Sequence, residues 1–223
     1  MLDVVLAAAL LVVLLPFLLI AALAIVLESR GGVFYRCTRV GRGGVVFPML
    51  KFRKMRVDAA GPALTARDDE RLTGVGRVLA RTKIDELPQL WNVLRGQMSL
   101  VGPRPEDPRF VALHRAEYDA ILKVAPGITG LCQLAFAREA EILDEANPVD
   151  DYVERLLPQK ARLDRLYAQE RTLAMDLRIL VWTAMVVLFR REVAVHRETA
   201  RLSFRRRPTR RAAVAAADPG AAA

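Results

Sequence analysis

The sequence predicts an α+β fold, mostly helical, in which a membrane segment precedes a small β-hairpin and a helical body. Three observations lead there. Residues 4–27 are an uncharged apolar run of 24 residues. Two short β-type runs, residues 33–35 and 45–50, flank a Gly-Arg-Gly-Gly turn. Beyond them, apolar residues recur at helical spacing with prolines as punctuation.

As a straight helix the apolar run is about 36 Å long, against a hydrocarbon core of about 30 Å. Pro16 near its middle implies a kink. A kinked span and a re-entrant hairpin therefore both fit the residues alone. A cleaved signal peptide fits poorly, because no basic segment precedes the run and the run is too long. Arg30, Arg36, Arg39 and Arg42 follow it, while only Asp3 precedes it. By the positive-inside tendency the body lies on the cytoplasmic face of the cell (inner) membrane. After the hairpin comes a basic cluster, Lys51, Arg53, Lys54 and Arg56, and then a polar surface excursion over residues 58–71.

Residues 81–106, RTKIDELPQLWNVLRGQMSLVGPRPE, carry the densest chemistry. Asp85 and Glu86 are adjacent acids. Pro88 lacks an N–H and is tolerated only in a first turn, so a helix should begin close to Asp85. That helix places Leu87, Leu90, Trp91 and Leu94 on one face. Its N-terminal end would favour carboxylates and phosphates alike. Gly102-Pro103-Arg104-Pro105 then forms a stiff loop holding one guanidinium between two prolines.

Further on, a helix is expected over residues 109–124. Residues 139–168 read as helical, with breaks at Pro148 and Pro158. Residues 179–189 are uncharged but too short to span a bilayer; a core helix and an interfacial helix both fit, and the flanking Arg190 and Arg191 favour the interfacial one. The net charge is +9, and residues 190–211 hold nine arginines against two glutamates. Residues 193–223 are therefore expected to be a basic, disordered tail. A nucleic-acid role would rest almost wholly on it, and none is expected; arginines near an anionic leaflet gain on the order of 1 kcal/mol each. Cys37 and Cys132 have neither disulfide-framework nor metal-ligand spacing and read as free thiols in a reducing compartment. Two histidines, His114 and His196, leave little room for a histidine triad or a zinc site.

The stretch I-D-E-L-P-Q-L-W-N-V-L-R-G-Q-M-S-L-V-G-P-R-P resembles the bacterial sugar transferase family, small monotopic phosphoglycosyl transferases that act on a polyprenyl-phosphate carrier. R-V-G-x-x-G…K-F-R-x-M, P-G-I-T-G and D-L-R-I-L extend the likeness along the chain. The resemblance implies an N-terminal re-entrant membrane helix (residues 1–29), a catalytic domain with interfacial helices (30–192) and the tail (193–223). It also implies transfer of a sugar-1-phosphate from a UDP-sugar to polyprenyl phosphate at the membrane lipid surface. UMP is released, in the first step of exopolysaccharide or other glycoconjugate assembly. By the family's D-E pair, Asp85 is the nucleophile, and Glu86 with Asp85 holds Mg2+. Lys51, Arg53 and Arg104, the last between Pro103 and Pro105, would face substrate phosphates, with Thr129 and Asp176 in matching segments. A homo-oligomer is compatible with this picture. Leu15 stands where relatives often have serine before the breaking proline, and Ala80 where they often have a basic residue. Two other classes fit part of the chain: a membrane-tethered basic module binding lipid or nucleic acid, and a nucleotide-sugar hydrolase.

Overall fold

Helix α1, Leu2–Glu28, takes in the whole apolar run, and Pro16 lies inside it without ending it. The structure, a computed structural model, describes residues 2–59, 61, 64, 69–139, 142, 143, 147–189, 191, 193–196 and 199–204. One stripe of α1 faces the body along its length. Ala7, Leu11 and Leu14 join the cluster that contains Phe47, Met49, Leu90 and Val93. Leu18, Ala21, Ala22 and Ile25 join Phe52, Leu79, Val75 and Ile84. The spacing of three and four residues is that of one helix face. Both ends are also tied down: Ser99 donates to Asp3 at 2.5 Å, and Glu28 accepts from the Val75 amide at 3.0 Å. The remaining faces of α1, with Val5, Val12, Phe17, Ile20 and Leu27, are exposed.

The expected hairpin forms from β1, Phe34–Val40, and β2, Val46–Phe52, paired antiparallel from Phe34↔Phe52 to Val40↔Val46. Gly43 (φ +69) and Gly44 (φ +80) turn the chain in a region that L side chains enter at a cost. Asn92 then joins the hairpin to the helix beneath it. Its Oδ1 accepts from the Leu50 amide at 3.0 Å, and its Nδ2 donates to the Pro48 carbonyl at 2.9 Å. A buried side chain thus satisfies backbone groups on the edge of β2.

Helix α2, Gly74–Thr82, ends at Lys83 in the left-handed conformation (φ 61). A 3-10 turn, Ile84–Glu86, follows, and α3 runs only over Gln89–Leu94. The helical run expected to begin close to Asp85 does so as this 3-10 turn, with both acids in it; it continues in the right-handed helical conformation through Leu87 and Pro88 and becomes α-helix at Gln89. Trp91 also departs from expectation: Leu90 and Val93 are buried, whereas Trp91 is 47% exposed. The short helix turns its buried face through Leu90 and Val93, and the indole stacks beside the Arg95 guanidinium instead.

Strand β3, Ser99–Val101, pairs in parallel with β4, Gly127–Thr129. The pairing needs glycine at its end: a Cβ on Gly127 would lie 2.0 Å from the Gly102 amide nitrogen. The expected 109–124 helix is broken at His114 into α4, Pro108–Leu113, and α5, Arg115–Ile121. After α6, Leu131–Ala135, the chain forms α7, Pro148–Asp151, a π turn, Tyr152–Leu156, and α8, Leu157–Glu170. Pro158 thus does not break the helical run; the wider π turn precedes it, in keeping with a residue that cannot donate to the preceding turn. Helix α9, Leu173–Phe189, buries Ile179 and exposes Leu177, Val181, Leu188 and Phe189.

Residues 193–195 and 202–204, expected in a disordered tail, instead form the antiparallel pair β5, Val193–Val195, and β6, Leu202–Phe204. Phe204 packs on Trp182 of α9 at 4.7 Å between ring centroids, which supplies the apolar contact that composition alone did not reveal. The tail expected from residue 205 onward lies outside the described residues.

Candidate active site

The acidic pair sits where β2, the 3-10 turn and the 102–107 loop meet. Lys51 near the end of β2 donates to Glu86 Oε1 at 3.0 Å. Lys54, just past the strand, places its Nζ 3.9 Å from Asp85 Oδ2. Asp85 is 3% exposed, and its Oδ1 has no hydrogen-bond partner among the described residues. A buried, unpaired carboxylate oxygen is costly.

The environment separates the two acids. Burial pushes the Asp85 carboxyl above the usual carboxylate range and the charge on Glu86 adds to this, with Lys54 and Lys51 pulling the other way. Burial opposes charge on Glu86 as well, but Lys51, Arg104 and Lys83 outweigh it and hold Glu86 well below that range. Glu86 is thus the fixed anion. Burial lowers the Lys54 ammonium from its usual value, against the pull of Asp85.

Arg104 faces three carboxylates. Burial disfavours its charge, yet Glu86, Glu139 and Glu106 more than compensate and keep it cationic. Its loop is clamped through the backbone: Gly102 N donates to Thr129 O at 2.9 Å, Gly127 N to Pro103 O at 2.8 Å and Val40 N to Glu106 O at 3.0 Å. Pro103 and Pro105 are buried and stiffen the same loop.

The structure therefore brings Asp85, Glu86, Lys51 and Arg104 together, and it spends the other expected residues elsewhere. Arg53 turns onto the end of α1, donating to Gly32 O at 2.6 Å, Ser29 Oγ at 3.0 Å and Ser29 O at 3.0 Å. Thr129 shares a 2.6 Å hydrogen bond with Thr183 of α9. Asp176 accepts from the Tyr167 hydroxyl at 2.6 Å. These three bind the body to its outer helices. Lys54, beside Asp85, was visible in the sequence only as one member of a basic cluster. The residues behind Arg104 (buried Glu106, Tyr152, Lys160 and Asp164, and half-buried Glu139) carried no signal, because they converge from segments far apart in sequence.

Among the described residues no three metal-ligating side chains cluster. A metal here would have the carboxylates of Glu86 and Asp85 from the protein. That suits Mg2+, which takes one or two carboxylates and completes its shell with water and phosphate oxygens. The unpaired Oδ1 of Asp85 is consistent with such a hard cation.

Asp164 of α8 generates a pH prediction. It is 2% exposed and accepts from the Arg104 amide at 3.3 Å. Burial pushes its carboxyl up to about 8, against that hydrogen bond and the nearby Lys160 and Arg104 cations and with the Glu106 charge. The folded state therefore holds a proton that the unfolded chain releases near pH 3.9, roughly. Stability from this group is full below that value, falls as pH rises, and is gone above about pH 8. Thermal unfolding of wild type and Asp164→Asn from pH 5 to 9 should show wild type losing ground to the variant up to about pH 8 and then running parallel. Parallel curves throughout would contradict a protonated Asp164.

Residues 1–190 match the family model described as bacterial sugar transferase. The chain is 44% identical over 192 residues to a UDP-glucose:undecaprenyl-phosphate glucose-1-phosphate transferase of Caulobacter vibrioides, covering 84% of this chain and 68% of that protein. It is 41% identical over 191 residues to an undecaprenyl-phosphate glucose phosphotransferase of Komagataeibacter xylinus, covering 82% of this chain and 34% of that protein. It is 39% identical over 193 residues to the exopolysaccharide production protein PSS of Rhizobium leguminosarum bv. phaseoli, covering 81% of this chain and 90% of that protein. The chain thus corresponds to only part of the longer relatives. The matched stretch contains the acidic pair, Lys51 and the Arg104 loop, and the chain belongs to the bacterial sugar transferase family.

Proposed function

We propose that this protein transfers a sugar-1-phosphate from a UDP-sugar to a polyprenyl phosphate and releases UMP, the opening step of exopolysaccharide or related glycoconjugate assembly. The observation that carries the reading is Asp85: a nearly sealed carboxylate with one unpaired oxygen, set among Lys54, Lys51 and Lys83, next to a Glu86 that Lys51 and Arg104 hold ionised. The names of two of the relatives support this substrate class: both specify undecaprenyl phosphate, and that of the Caulobacter vibrioides protein also specifies UDP-glucose.

The reaction runs as two displacements. An Asp85 oxygen attacks the phosphorus that bears the sugar; a P–O bond to Asp85 forms, the bond to the bridging diphosphate oxygen breaks, and UMP leaves with that electron pair. A phosphate oxygen of the polyprenyl carrier then attacks the same phosphorus. The acyl-phosphate bond breaks, Asp85 returns as carboxylate, and the sugar remains on a polyprenyl diphosphate. Arg104 offers two parallel N–H bonds to a phosphate, on a loop already fixed by its backbone bonds. Lys51 and Lys54 lower the repulsion between the acids and the incoming diphosphate. Mg2+ bound at Glu86 and Asp85 would neutralise diphosphate charge.

The N-terminal helix fits a monotopic arrangement. The contacts of Asp3 and Glu28 with the body support both ends of α1 lying on one side, with its exposed faces in lipid and Pro16 at its deepest part. The arginines after α1 favour the cytoplasmic side of the inner membrane. Cysteines introduced near Met1 and at Gly32 should both react with an impermeant thiol reagent from the cytoplasmic side. Labelling of the first only from the opposite side would establish a full span.

Incubation with a panel of UDP-sugars, starting with UDP-glucose, plus Mg2+ and polyprenyl phosphate tests the activity. UMP with a lipid-linked sugar is the expected result. UMP without lipid product would mean a hydrolase, and no UMP with any donor a binding module. In the same assay Asp85→Asn should release no UMP, whereas Glu86→Gln should regain part of its activity with excess Mg2+. Arg104→Lys keeps the charge but loses the two-pronged geometry. Losing a charge-assisted bond of roughly 1.5–3 kcal/mol lowers the rate about ten- to over a hundredfold. Full activity in a correctly inserted Arg104→Lys protein would remove the phosphate-clamp role.

A further inference from the structure

The three carboxylates around Arg104 are each engaged by a different donor. Glu86 is held by Lys51 at 3.0 Å. Glu139 Oε2 accepts from Lys160 at 2.9 Å. Glu106 accepts from the Tyr152 hydroxyl at 2.5 Å through Oε2 and from the Asp107 amide at 3.0 Å through Oε1. Lys160 Nζ closes the chain, donating to the Tyr152 oxygen at 2.8 Å and lying 4.3 Å from the centre of the same ring. Among the described residues, no carboxylate oxygen lies within ion-pair distance of the Arg104 guanidinium.

This arrangement is not what electrostatics alone would select. An arginine next to free glutamates gains most from a bidentate pair with one of them. Here the glutamates are near enough to hold Arg104 charged, and each is drawn off by a neighbour. Lys160 and Tyr152 are 2% and 1% exposed, so their bonds operate where water competes little. A lysine is rarely so buried without a reason.

We propose that Lys160 and Tyr152 are positioning residues that withhold Glu139 and Glu106 from Arg104, leaving its guanidinium free for the donor diphosphate. Lys160, on α8, and Tyr152, in the π turn that leads into it, act through the glutamates and touch no substrate. Without the Tyr152 hydroxyl, Glu106 Oε2 swings to Arg104 and closes the clamp from inside. Without the Lys160 ammonium, Glu139 does the same. The inference rests on the reading of Arg104 as a phosphate clamp.

The test is a suppressor experiment on the full-length protein in detergent, with UDP as the probe and calorimetric binding as the readout. Tyr152→Phe keeps the ring that covers Lys160 and removes only the hydroxyl. It should weaken UDP binding about tenfold, the scale of one lost charge-assisted bond. Adding Glu106→Gln to it should restore most of that affinity, because a neutral amide cannot capture Arg104 as a carboxylate does. Lys160→Met and its partner Glu139→Gln give the same pair of measurements from the other branch. A merely structural role predicts that the glutamine variants deepen the defect, since each removes a further buried bond. Unchanged affinity in Tyr152→Phe, or a loss that Glu106→Gln leaves in place, would overturn the inference. Arg104→Lys serves as the separate control. Wild-type UDP affinity in that variant would remove the clamp reading and this inference with it. A weakened Arg104→Lys protein without suppression would remove this inference alone.

Discussion

Two adjacent carboxylates at the edge of a protein interior repel each other, and every other feature of the site answers to that repulsion. Like charges about 4 Å apart near a protein surface repel by roughly 4 kcal/mol, and desolvation adds to the cost. In the proposed reaction, a diphosphate brought to the same place would raise it further. The body meets this with cations from three directions: Lys51 and Lys54 from the end of β2, Lys83 from the turn before the acids, and Arg104 from the loop after β3. The acids do not share these cations equally. Glu86 takes the closest partner and stays ionised, which leaves Asp85 as the buried carboxylate with an oxygen unpaired.

The fold can be understood as the means of bringing those cations together. Asn92 fixes the hairpin over α3, so the end of β2 stands over the acids. The β3–β4 pairing, closed by the Gly102–Gly127 approach, holds the arginine loop against the same point. Helix α8 supports the loop from behind through Asp164 and, by way of Tyr152, Glu106. A long lever arm would serve poorly here, because phosphate recognition depends on placement within fractions of an ångström.

Much of this was legible in the chain. The apolar run and the Gly-rich turn are local patterns that became α1 and the β1–β2 hairpin, and the D-E pair and the proline-flanked arginine stand out by their immediate neighbours alone. The sequence misled where local and tertiary demands diverge. Trp91 fits an apolar helix face by spacing, yet the six-residue α3 presents Leu90 and Val93 to the body and leaves the indole outward. Arg53 and Lys54 are neighbours in one basic cluster, and only the path of the chain after β2 decides that Lys54 meets Asp85 while Arg53 meets Ser29. Lys160 and Tyr152 look like ordinary members of an amphipathic helical segment. Their partners lie 21 and 46 residues away, and no periodicity reports such a convergence.

The central claim is that Asp85 becomes covalently attached to the sugar phosphate. Intact-mass analysis of the protein after brief exposure to UDP-glucose and Mg2+, with polyprenyl phosphate left out, tests it most directly. The account predicts a species heavier by one phosphosugar, with the added mass on the peptide containing Asp85 and lost when the carrier is supplied. A label on another residue, or lipid-linked product formed by an enzyme that never gains mass, would contradict it.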